Sequence, residues 1–261
     1  MYKRQPNSLE IDLLGNENTT ETVTISNNGE GSLDFWLNGN TTQATEILVY
    51  SYATLGSNIN ILTSGLSNFL ENYNLATYNG TSSNEFSALL ADKQVLIFPK
   101  QITQNINIAV LETFAPIIQN FVNEGGSLIF LGTDCEDCIN AIGLLEADFA
   151  FALLQDNVVV TNDTHPITQD LPADFSSPLT SFAYHFSNTD MQVLAQNELG
   201  ASVLAYRKNG LGNVIYFGYS FQTSDNLFAE TLAKTVNWAT GLPPEWLSYD
   251  SFGENISINN S

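Results

Sequence analysis

The chain has 261 residues, 43% of them hydrophobic, enough for a sizeable core in one large domain or two smaller ones. Its 28 acidic residues face 7 basic ones, for a net charge of −21; such a field repels nucleic acid and anionic membrane surfaces, which need clustered Lys or Arg to release counterions. No apolar run approaches the roughly 20 residues that span a bilayer, so membrane insertion is excluded along with nucleic-acid binding.

The first five residues, Met1-Tyr2-Lys3-Arg4-Gln5, resemble the translation of a transposase sequencing adapter and are set aside as foreign to the natural chain. Met1 to Glu10 is polar and shows no apolar signal segment. Residues 6–40 alternate in period two around an Asn27-Asn28-Gly29 turn, which predicts short antiparallel strands.

Residues 45–241 alternate strand and helix signals. Ile47-Leu48-Val49-Tyr50, Val95-Leu96-Ile97-Phe98 and Ser127-Leu128-Ile129-Phe130-Leu131-Gly132 are continuous apolar runs, the mark of strands buried on both faces, and Leu75-Ala76-Thr77-Tyr78 is a further strand. Helical spacing covers Asn58 to Tyr73, Asn84 to Ala91 and Asn107 to Asn123, the last stopped by Gly125 or Gly126 as a left-handed cap. Four such alternations predict an α/β fold, a doubly wound, mostly parallel sheet of the flavodoxin-like or amidotransferase-like kind. Beyond Phe149 the signals become strand-like at 157–160 and 192–195. A hairpin follows, formed by 202–206 and 213–217 around Lys208-Asn209-Gly210, and then a helix from Asp225 to Ala239.

Several segments carry family resemblances. The run "TVTISNNGEGSLDFWL" resembles the front half of immunoglobulin-like repeats of large bacterial surface proteins, and residues 243–261, with "WLS", resemble the continuation of the same repeat. The α/β domain is therefore expected either inside one β-sandwich or between two, with β-sandwich fragments at both termini, in a secreted multidomain protein, extracellular or at the cell surface. "NFVNEGGSLIFLGTD", "NDTHPITQDLP" and "RKNGLGNVIYFGYSF" resemble class I glutamine amidotransferase-like domains of the trehalose-utilisation-like branch. In catalytic members a Cys stands in Gly-x-Cys-x-Gly on a tight strand-to-helix elbow, a His activates it, and a Glu two residues later orients the His. Here the register after Gly132 puts Asp134 at the nucleophile position, Glu136 replaces the second glycine, and Ile167 stands two residues after His165.

Cys135 lies among Asp134, Glu136 and Asp137, whose charges disfavour a thiolate more than a helix N-terminus favours one. Cys135 and Cys138 read as a local disulfide, with a redox-active pair or half of a zinc site as alternatives. Asp134, Glu136 and Asp137 are candidate Ca²⁺ ligands or a solvated acidic turn; no other cofactor is expected. His165 is expected to bond locally in its loop, and His185, in an aromatic strand, is a candidate for ligand binding together with Asp134. Gly210-Leu211-Gly212 opens a strand and reads as a turn, and Tyr216, Phe217, Tyr219 and Phe221 read as core.

These features predict a non-catalytic amidotransferase-like module whose partners are other domains of the same parent chain, with a small molecule or glycan as a further ligand. One rival is a hydrolase or amidotransferase acting through Cys135 or Cys138 with His165 or His185. The other is an accessory domain of a secreted protease or glycan-degrading enzyme.

Overall fold

The computed structural model describes residues 44–100, 108–153, 155–178 and 181–240. The adapter-like residues 1–5 and the immunoglobulin-like segments 6–40 and 243–261 lie outside the described residues.

The first half is built of strand–helix pairs. Strands β1 (Thr45–Tyr50), β2 (Tyr73–Tyr78), β3 (Val95–Phe98) and β4 (Ser127–Leu131) are separated by helices α1 (Gly56–Phe69), α2 (Ser83–Leu90) and α3 (Ile108–Asn123). The four residues of β3 and the five of β4 are all buried, as continuous apolar runs require when helices cover both faces. α2 starts at Ser82, whose side chain accepts from the Glu85 amide, a conventional N-cap. α3 stops at Gly125, which takes φ 112, while the amides of Gly125 and Gly126 return to the carbonyls of Val122 and Phe121.

After the short helix α4 (Glu136–Ala141) the chain turns to strands: β5 (Ala147–Leu153), β6 (Asn157–Val160), β7 (Asp174–Ser176), β8 (Ser181–Phe186), β9 (Gln192–Asn197), β10 (Ser202–Asn209) and β11 (Gly212–Phe217); α5 (Asn226–Thr240) closes the domain. The sheet order is β2-β1-β3-β4-β11-β10-β9-β6-β7. The five strands from β2 to β11 are mutually parallel, and the remainder extend the sheet antiparallel. The fold is thus mixed α/β with a parallel centre. β11 reaches its place through the β10–β11 hairpin, where Gly210 has φ 60 and a Cβ on Gly212 would stand 2.0 Å from the Gly126 carbonyl. β5 and β8 pair with each other off this path, and β8 meets β10 at Tyr184 and Ser202.

Alternate residues of the parallel strands feed two cores. One joins Ile47, Val49, Ile129, Ile215 and Phe217 to Leu62 and Leu66 of α1 and to Leu232 and Val236 of α5. The other joins Leu48, Tyr50, Phe98, Phe130 and Tyr216 to Phe86 of α2, Phe114 and Ile118 of α3 and Ile139 of α4. Strand order reverses between β1 and β3. In open α/β sheets, the rim formed by the carboxyl ends beside such a reversal is where ligands bind.

Candidate functional site at the β4 elbow

At the end of β4 the chain turns through Gly132, which has φ 45 and donates its amide to the Phe217 carbonyl at 2.7 Å. A Cβ there would stand 2.3 Å from the Ser220 amide nitrogen, so only glycine lets the ends of β4 and β11 approach. Thr133 is buried and its hydroxyl accepts from the Cys135 amide at 3.1 Å. Cys135 then caps α4, its sulfur accepting from the Cys138 amide at 3.2 Å.

Cys135 and Cys138 form a disulfide with Cα atoms 5.2 Å apart, the local bridge read from their spacing. Both are 3% exposed and neither thiol is free, so the zinc alternative lacks its thiolates in this state.

Asp134 faces Lys100, two residues beyond β3: Nζ lies 3.2 Å from one carboxylate oxygen and 4.3 Å above the Phe182 ring. The other oxygen, Oδ1, is buried with no hydrogen-bond partner among the described residues, and the same holds for the hydroxyls of Tyr184 and Ser220. Burial, and then the charges of Asp134 and Glu136, push the Tyr184 phenol above its ordinary range, which keeps it neutral and able to donate or accept. Each of these buried groups is costly to leave unsatisfied.

The acidic trio does not assemble. Glu136 is half-buried, Asp137 is exposed, and no group of three His, Cys, Asp or Glu that could hold a metal forms among the described residues. Asp134 is engaged by Lys100, so the Ca²⁺ ligand set drawn from sequence neighbours is not brought together as one.

The histidines lie elsewhere. His165, between β6 and β7, packs its ring 5.1 Å from Tyr206 and 4.9 Å from Trp238, residues that cover the α1/α5 core, whereas both cysteines belong to the α2/α3/α4 core. Its Nδ1 accepts from the Ile167 amide at 3.2 Å, the local bonding expected of it, and burial holds its pKa down to about 4. His185 is exposed and stands edge-on to Phe151 at 5.3 Å, while its strand neighbour Tyr184 turns into the core that holds the cysteines. Strand alternation sends adjacent side chains to opposite faces, and Tyr184 takes the inward one. Lys100, Phe182, Tyr184 and Ser220 are site residues that sequence reasoning missed. Lys100 alone carried a signal, as one of only 7 basic residues and placed directly after a buried strand. Gly210-Leu211-Gly212 is the hairpin turn expected, and Tyr216, Phe217, Tyr219 and Phe221 are buried as core.

No protein-family model and no curated protein matches the chain. Among solved structures it is similar to a cytoplasmic protein of Salmonella typhimurium, with 16% identity, a TM-score of 0.54, and coverage of 75% of this chain and 99% of that one. It is equally similar to a ThuA-like protein of Bacteroides uniformis, at 16% identity and a TM-score of 0.54, covering 79% and 95%. The β-galactosidase of Bacillus circulans matches at 17% identity and a TM-score of 0.50 over 77% of this chain, which corresponds to 32% of that enzyme. At these identities the likeness is one of fold: a mixed α/β domain with a parallel central sheet, of the ThuA-like, amidotransferase-like kind.

Proposed function

We propose that this chain is a non-catalytic amidotransferase-like module of a secreted multidomain bacterial protein, carrying a ligand or partner at the carboxyl rim of β3 and β4. The observation that carries this reading is the elbow itself. By register after Gly132, Asp134 stands where the family's cysteine would, Cys135 and Cys138 are consumed in a disulfide, and His165 packs against residues of the other core. Nucleophilic catalysis needs a thiolate within hydrogen-bond reach of its base, and no such pair is formed. The buried, unpartnered oxygens of Asp134, Tyr184 and Ser220 supply hydrogen-bonding capacity that a ligand or partner would use.

Alkylation of the reduced protein tests the reading. With the disulfide opened, Cys135 and Cys138 should react with iodoacetamide at neutral pH no faster than free cysteine, because three carboxylates surround them and no imidazole assists. Alkylation at least tenfold faster than free cysteine at either position would favour the Cys-dependent hydrolase or amidotransferase instead. A second reading, an accessory domain of a glycan-degrading enzyme, is favoured by the β-galactosidase likeness, in which a fold of this kind makes up 32% of the longer chain.

A further inference from the structure

A concavity lies on the α1/α5 side of the sheet, between α1 and the entry to α5. It encloses about 300 Å³, at the lower end of small-molecule sites, which run from about 300 to 1,000 Å³. Its floor is Gly65 of α1 against Ala229 of α5, where a Cβ on Gly65 would stand 3.0 Å from that of Ala229, with the ring edge of Phe221 beside them. Its walls carry Asn60, Ser64 and Asn68 on one side and Ser224 and Asn226 on the other. The single formal charge among its lining residues belongs to Asp225, whose Oδ1 is occupied in capping α5 by accepting from the amides of Leu227 and Phe228.

The entry loop is held in place. The Tyr219 hydroxyl donates to the Thr223 carbonyl within the loop. Phe221 is 2% exposed and takes φ 56, a left-handed conformation unfavourable for a bulky residue. Such strain persists only where the surroundings over-determine it, which is common at ligand clamps.

We propose that this groove is a carbohydrate site for a neutral, hydroxyl-rich oligosaccharide, an inference that rests on reading the chain as a binding module. Amides and hydroxyls each offer both a donor and an acceptor, matching the paired character of sugar hydroxyls. The near-absence of free charge in the groove, in a chain of net charge −21, disfavours sialylated or sulfated glycans and supplies no Lys or Arg to hold phosphate. The small floor residues allow a ring to lie close to both helices.

Binding of glucose-, mannose-, galactose- and xylose-based tetrasaccharides to the full chain, measured by calorimetry at low and high salt, tests this. At least one neutral tetrasaccharide should bind, with an affinity unchanged by ionic strength. The double substitution Asn60→Ala/Asn68→Ala should weaken it by roughly tenfold or more, through two lost hydrogen-bonding side chains. Both positions are exposed on a helix where alanine is favoured, so the fold is kept. Ser64→Trp, filling the groove from its exposed wall, should abolish binding, while Asp134→Asn should leave it unchanged. Absence of binding to every member of the set would overturn the proposal, as would binding that survives the double substitution. Loss on Asp134→Asn with retention in the groove variants would move the ligand to the elbow, overturning the groove and keeping the binding module.

Discussion

His165 shows how one side chain couples this fold to pH. Its imidazole is 5% exposed between Tyr206 and Trp238, and burial lowers its pKa to about 4, against about 6.5 for an unhindered histidine. As pH falls below about 6.5, the unfolded chain takes up a proton that the folded chain refuses until about pH 4. The stability present above pH 6.5 is therefore lost progressively across that window, by about 3 kcal/mol in all. Urea denaturation of wild type and His165→Phe should give free energies that converge or cross by this amount between pH 7 and pH 4; curves that stay parallel would contradict the assignment. The same contacts explain why this histidine is not a catalytic base: it faces aromatic rings and the Ile167 amide, on the far side of the sheet from Cys135.

The element most dependent on a covalent constraint is α4. Six residues are too few for a helix to stand alone. It is held by the Cys135–Cys138 bridge, by the Cys135 sulfur accepting from the Cys138 amide, and by Glu136 and Asp137 in its first turn, where negative charge suits the helix dipole. Closing so short a loop contributes about 2 kcal/mol on the chain-entropy account. Reduction should lower the unfolding free energy by about that amount, and an unchanged urea midpoint would show that packing alone secures α4. Legibility also differs by element. β1, β3 and β4 could be read from sequence because burial on both faces leaves a continuous apolar run, and α3 because its glycine stop is local. β7, three residues long, and β5, with its recurrent alanines, leave too faint a period. The insertion of β11 beside β4 depends on pairing Asn213 with Ser127 across distant sequence, which no local pattern encodes. At the elbow, Asp134 and the bridge were legible by register and spacing. Lys100 and Tyr184 were not, because β3 and β8 bring them there only in the folded chain, and alternation alone does not say which face of an off-path strand such as that of His185 is inward.

At the scale of the whole molecule, three features point the same way. A chain with 28 acidic and 7 basic residues sets up a field that opposes the approach of anions. A parallel centre whose strand order reverses between β1 and β3, with β4 next to β3, has its carboxyl rim where such sheets usually bind ligands. The fold is similar to that of ThuA-like proteins, while at the elbow Cys135 and Cys138 are joined in a disulfide and Asp134 pairs with Lys100. The central claim is that this elbow performs no cysteine chemistry. The most direct test is ammonia release from glutamine, compared between the reduced wild-type chain and Cys135→Ala/Cys138→Ala at neutral pH. The account predicts the same background rate for both. A wild-type rate clearly above that of the double variant would contradict it and restore the enzyme.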